Sequence, residues 1–154
     1  MDKMERSCLD ETLKHVNRVR SLLAGFIGKL FERGIYHDKT KLDDPEFKCF
    51  VEYTPKLKGM TYGSDEYKRC LDEMKPSLDH HYKNNSHHPE HYTSGIMGMS
   101  LVDIMEMISD WKAASERHAD GDIMESIEKN QERFGYSDEV KQILINTVED
   151  MEWK

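Results

Sequence analysis

An all-α fold is what this sequence predicts, and three observations carry that reading. Apolar residues recur at steps of three and four along most of the chain. No stretch alternates with period two for long enough to make a strand. The 154 residues, 37% hydrophobic and 34% charged, suit one core covered by amphipathic elements. The expectation is a single compact domain of six or seven helices over residues 1–154, without repeats, low-complexity tracts or linkers.

The first helix is expected from about Leu9 to Arg33, where Leu13, Val16, Leu23 and Leu30 keep the helical step and Gly34 is a C-terminal stop. His15 and Arg18 share one of its faces. A second, short helix starts at Asp43 or Asp44 with Pro45 in its first turn and ends at Pro55. The stretch KLKGMTYGS, with Gly59 and Gly63, reads as a loop. Ser64 caps a third helix through Tyr67, Cys70, Leu71 and Met74, which Pro76 breaks or kinks before a further segment through His81.

Asn84, Asn85 and Ser86 interrupt that segment, and an irregular loop runs from His87 to Ser100. Ser100 with Asp103 makes a capping pair for a helix over about Leu101–His118. Its apolar stripe is Leu101, Ile104, Met105, Ile108 and Trp111. Asp103 and Glu106 lie on a neighbouring acidic stripe that reads as a solvated face, while apolar neighbours set Asp110 apart. Asp120-Gly121 is a turn, and helices over about 122–134 and 138–151, separated by Gly135, complete the chain.

The totals exclude several functions. A net charge of −8, spread along the chain, argues against duplex nucleic acid, whose affinity comes from phosphate neutralisation. It leaves room for a small phosphorylated ligand, because bound cations reverse local charge. No apolar run of about 18 residues offers a membrane span, and the charged start MDKMERSCLDE lacks a signal core, so a cytoplasmic protein is expected. Cys8, Cys49 and Cys70 form no CxxC pair and read as free thiols.

Chemistry concentrates in DHHYKNNSHHPEHY, residues 79–92, which holds five of the eight histidines: His80, His81, His87, His88 and His91. Imidazole is the commonest protein ligand for transition metals, so this tract and the adjacent pair His37-Asp38 are metal-site candidates. Without thiolate, such a mixture of imidazole and carboxylate suits Mn²⁺, Fe²⁺, Co²⁺, Zn²⁺ or Mg²⁺, as one ion or two. Adjacent on a helix, only one of His80 and His81 faces inward. Pro89 holds His88 extended, so His87 and His88 are expected to point apart and not to serve one ion.

In order, the pattern H…HD…H…H…D resembles the HD-domain superfamily of metal-dependent phosphohydrolases. The phrases YHDKTKL, YGSDEY, HHYKNNSHHPEHY and MISDWKAAS are also similar to a family of small, uncharacterised bacteriophage and bacterial proteins, over about Leu13–Thr147. The superfamily resemblance implies an all-α domain with His15, His37, Asp38 and Asp110 as metal ligands, and Lys41 where the superfamily's lysine falls. His81 and His88 are then candidates for a second ion.

On this reading Asp38 also orients the attacking water. Lys41 and Arg18 contact phosphate, and His87 meets the substrate or protonates the leaving oxygen. Glu106 is a substrate contact or a carboxylate behind a ligand imidazole. The implied activity is hydrolysis of a phosphate ester, with a nucleotide as substrate, in the host-cell cytoplasm if phage-encoded, and with a possible homodimer. The alternatives are a di-iron oxygenase of the HD type, or a non-enzymatic module that binds a nucleotide or a protein around a structural metal.

Overall fold

The computed structural model describes residues 2–60, 64–117 and 121–153. Gly63, the expected helix end at His118 and the Asp120 position of the expected turn lie outside the described residues. The chain is all-α. Among the described residues there are six α-helices and no strand. The helices are α1 (Lys3–Tyr36), α2 (Glu46–Lys58), α3 (Asp65–Asn84), α4 (Leu101–Ser115), α5 (Ile123–Phe134) and α6 (Asp138–Asp150). Short 3-10 turns occupy Lys39–Leu42, Pro89–His91 and Gly95–Gly98. No helix is long and apolar enough to cross a membrane.

The chain falls into two units, Met1–Ile35 and Tyr36–Lys154. The first is α1, which begins earlier than expected because Asp2 and Glu5 cap it reciprocally. Asp2 Oδ1 accepts from the Met4 and Glu5 amides at 2.7 and 2.9 Å, and Glu5 Oε2 accepts from the Asp2 amide at 2.7 Å. The helix also runs past Gly34, the expected stop. A helical glycine costs only about 1 kcal/mol against alanine, less than a capped, propagating helix tolerates. None of its residues is buried.

In the second unit, α4, α5 and α6 build an apolar core from Met107, Ile108, Ile123, Ile127, Leu144 and Val148, with Ile96 and Tyr136 at its edge. Asp122 and Ser137 cap α5 and α6 by accepting from the Met124 and Val140 amides. Gly135, at φ 64°, ends α5 in the left-handed conformation that glycine adopts without strain. Tyr136 is tied in by donating to the Ile127 carbonyl at 2.6 Å.

α2 packs on α3, which buries Cys70 and Met74. α2 continues through Pro55 to Lys58, because a proline in the last turn forfeits a single backbone bond. α3 likewise passes through Pro76 without interruption, and Ser64 caps it as expected by accepting from the Tyr67 amide. Helix α4 reverses one expectation. Its acidic residues Asp103 and Glu106 are buried, while Leu101 and Met105 are exposed. The acids face partners from the histidine tract rather than water.

Candidate metal centre

The site lies wholly within the second unit, and three local features build it. Asp38 stands at φ 53°, ψ 18°, a left-handed conformation open to few residues other than Gly, Asn and Asp, and opens the Lys39–Leu42 turn. Next, the last turns of α3 carry His80 and His81. Residues 85–88 then close a turn, with the His88 amide on the Asn85 carbonyl at 3.3 Å. Finally, α4 supplies Glu106 and Asp110, one turn apart on one face.

Two buried carboxylates fix the histidines. Glu106 Oε1 accepts from His37 Nδ1 at 2.9 Å and lies 3.1 Å from His87 Nδ1. Glu46, with no exposed surface, accepts through Oε2 from His81 Nδ1 at 2.8 Å and through Oε1 from His80 Nδ1 at 2.7 Å. Thr40 Oγ1 also donates to Glu46 Oε2 at 2.9 Å, and Asn85 Nδ2 donates to Thr40 Oγ1 at 2.8 Å. A carboxylate only accepts, so each facing Nδ1 carries the hydrogen. The Nε2 atoms of His37, His81 and His87 then face away from their anchors and offer lone pairs to a cation once any second proton leaves.

They aim at Asp38. Its Oδ1 lies 3.2 Å from His81 Nε2 and 3.4 Å from His87 Nε2. Its other oxygen, Oδ2, is 3.6 Å from His37 Nε2 and 2.5 Å from Lys41 Nζ. Asp110 Oδ1 is 3.7 Å from His37 Nε2. His88 Nε2 meets His81 Nε2 at 2.9 Å, two imidazole nitrogens pointing at one another.

In each of three groups, one ligand atom per residue falls within 4.8 Å of all the others: Asp38–His81–His87–His88, His37–Asp38–Asp110 and His37–His87–Glu106. Asp38 Oδ1 and His87 Nε2 are buried and make no hydrogen bond of acceptable geometry. Buried polar atoms without a partner are costly, and these two converge where a cation would satisfy both. The donor set of imidazole and carboxylate, with carboxylates behind His37, His81 and His87, fits a divalent cation.

The charges respond to this crowding. The Asp110 carboxylate beside its ring and the hydrogen bond to Glu106 raise the His37 pKa to about 10. Burial opposes ionisation of Asp38, yet the His81 and His87 rings facing it and the hydrogen bond from the Lys41 ammonium hold it far below the usual carboxylate range. Burial works against a charged Asp110 too, but its bond with His37 keeps the pKa low. Burial is the largest influence on His88, and the crowding of the His87 and His81 rings acts in the same direction, so its pKa falls to about 3 and the ring is neutral. Without a cation, the proton on His37 and the Lys41 ammonium offset part of the negative charge of the acids.

The structure therefore brings together His37, Asp38, Lys41, His81, His87, His88, Glu106 and Asp110, all of them expected from the sequence. His15 and Arg18 lie in the first unit on α1, and His15 is in none of the three groups. Lys41 reaches the site, but its ammonium is on Asp38. Glu106 is a carboxylate behind two imidazoles, the second of the two roles expected for it. His91 donates from Nδ1 to the Tyr82 carbonyl at 2.8 Å and stands apart.

The expectation that His87 and His88 diverge is overturned: both belong to one group, with ring centroids 4.1 Å apart. Only His88 is extended before Pro89. His87 lies within the turn, so the alternation of an extended strand does not apply. Glu46, Thr40 and Asn85 join the centre without having been expected there. The one signal for Glu46 was an acid in the first turn of a helix, which dipole compensation already explains; the helix itself starts at Glu46 and not at Asp43 or Asp44.

The model of DUF5662, a family of unknown function, matches residues 4–150. No curated protein and no solved structure matches the chain.

Proposed function

The chain belongs to DUF5662, a family of unknown function, and for this member we propose a metal-dependent phosphohydrolase that cleaves a phosphate ester of a nucleotide. One observation carries the reading: imidazole nitrogens held from behind by buried carboxylates converge on Asp38, with Asp110 beside His37. The order of these residues, with Lys41 three beyond Asp38, is that of the HD superfamily, and the nucleotide comes from that likeness alone.

Asp38, His81, His87 and His88, or His37, Asp38 and Asp110, would hold a divalent cation, which would supply Lewis-acid polarisation of a phosphoryl oxygen and a lowered pKa for water. The chain's own residues do the remainder. Asp38, kept ionised by its neighbours, accepts a hydrogen bond from the attacking water and orients it. Lys41, 2.5 Å from Asp38 Oδ2, brings a fixed positive charge to the site and offsets charge growing on the transferred phosphoryl group. Glu46 and Glu106 hold the imidazoles in one tautomer, so the site does not reorganise during the reaction.

The test is phosphate release from a panel of nucleoside phosphates under anaerobic conditions with Mn²⁺ or Co²⁺, repeated on Asp38→Ala. Turnover that falls about 1000-fold or more in the variant supports the reading. If nucleotides raise the thermal midpoint but none is turned over with any divalent cation, the chain is a binding module. A second reading has a specific basis, because three imidazoles with one carboxylate also suit iron. Strict dependence on iron and oxygen would make the chain an oxygenase.

A further inference from the structure

Four observations divide the site into two unequal halves. The first is donor chemistry. Asp38–His81–His87–His88 offers three nitrogens and one oxygen, whereas His37–Asp38–Asp110 offers one nitrogen and two oxygens. Nitrogen-rich sets favour the later first-row dications, and carboxylate-rich sets suit Mg²⁺ and Mn²⁺. The second is burial. His81 and His87 are 2% and 1% exposed, with Asp38 and His88 half-buried beside them, whereas none of His37, Asp38 and Asp110 is buried.

The third is preparation. Glu46 and Glu106 fix His81 and His87 before any ion arrives, and the unpartnered His87 Nε2 and Asp38 Oδ1 already face that half. The fourth is competition. The other half must displace the Lys41 ammonium from Asp38 Oδ2, where it lies 2.5 Å away. The two Asp38 oxygens serve the halves separately, with Oδ1 toward His81 and His87 and Oδ2 toward His37 and Lys41.

We infer that the centre takes two ions of different class, sharing Asp38. A late first-row dication such as Co²⁺, Zn²⁺ or Fe²⁺ is retained at Asp38–His81–His87–His88, and an exchangeable Mg²⁺ or Mn²⁺ is held at His37–Asp38–Asp110. This rests on the metal-centre reading above and adds a division of labour to it. The nitrogen-rich half is a resident site, and the carboxylate-rich half fills and empties with the surrounding ion.

The test uses the full chain, stripped of metal by chelation and titrated with Co²⁺ by its visible absorption and with Mn²⁺ by paramagnetic resonance. One Co²⁺ should bind at least about 100-fold more tightly than Mn²⁺ and survive gel filtration, after which one weakly held Mn²⁺ adds. Asp110→Ala should lose the Mn²⁺ and keep the Co²⁺. His88→Ala should lose the tight Co²⁺ step and keep a weak Mn²⁺. His88→Gln, with folding followed by circular dichroism, repeats that test if the alanine variant does not fold. Two ions of equal affinity and preference, or loss of the tight ion in Asp110→Ala, would overturn the division while leaving the metal centre standing. A folded chain that binds neither ion overturns both.

Discussion

Glu46 Oε2 accepts a hydrogen bond from His81 Nδ1 at 2.8 Å, in a place where neither side chain is more than 2% exposed. The same carboxylate holds His80, so one acid on α2 sets two adjacent imidazoles on α3. Glu46→Gln keeps the shape and removes the charge. It should weaken metal binding about 10- to 100-fold, the usual cost of losing a carboxylate behind a ligand imidazole. Competition with a fluorescent chelator measures this, and unchanged affinity would show that Glu46 only fills space.

Glu106 carries a wider load, because a single oxygen serves His37 and His87, one from each half of the centre. Glu106→Gln should therefore weaken both binding steps, whereas Glu46→Gln should affect the step at His81 alone. Stepwise calorimetric titrations of the two variants make the comparison. Equal patterns in the two variants would contradict the assignment.

Proton linkage supplies a third expectation. The nearby Asp110 carboxylate and the hydrogen bond to Glu106 raise His37 to about 10, so at neutral pH the metal-free chain holds a second proton on that ring. Metal uptake must expel it. Affinity should rise about tenfold per pH unit between pH 7 and 9, and calorimetry in buffers of different ionisation enthalpy should show about one proton released. In the metal-free chain the sign reverses for folding. A raised pKa stabilises fully below the unfolded value of about 6.5, and that contribution disappears as pH rises through about 10.

Asp103 yields a separate prediction about folding. Burial alone would raise its pKa, but the Ser100 hydroxyl and amide, Ser86 and Tyr92 all donate to it and hold it below the carboxylate range. It joins the start of α4 to the loop that carries His87. Asp103→Asn should cost about 2 kcal/mol at pH 7, by loss of hydrogen bonds to a charged group. A lowered pKa stabilises above the unfolded value of about 4 and loses that contribution as pH falls further. The gap between variant and parent in urea should therefore narrow below about pH 4.

Much of the helical framework was legible because periodicity, caps and breakers are local. Ser64 and Ser100 are read from a few neighbouring residues, and both cap helices. The misread ends have local causes as well: Gly34 and Pro55 are weak stops where a helix has residues left to propagate. The centre was legible in residue types but not in roles. The acids of α4 have the spacing of a solvated face, and only the arrival of the histidine tract buries them. Glu46 is 34 and 35 positions from the histidines it holds, a distance over which a single sequence carries no signal. For His87 and His88, the proline rule describes one residue and the turn decides the other.

The central claim is that these side chains form a metal centre, and elemental analysis of the purified chain tests it most directly when paired with Asp38→Ala. Asp38 belongs to both the nitrogen-rich and the carboxylate-rich ligand set. The parent should carry at least one equivalent of a late first-row metal after gel filtration, and the folded variant should carry less than about a tenth of that. Equal metal content in the two proteins, or none in the parent even after loading with Co²⁺, Zn²⁺ or Mn²⁺, would contradict the account.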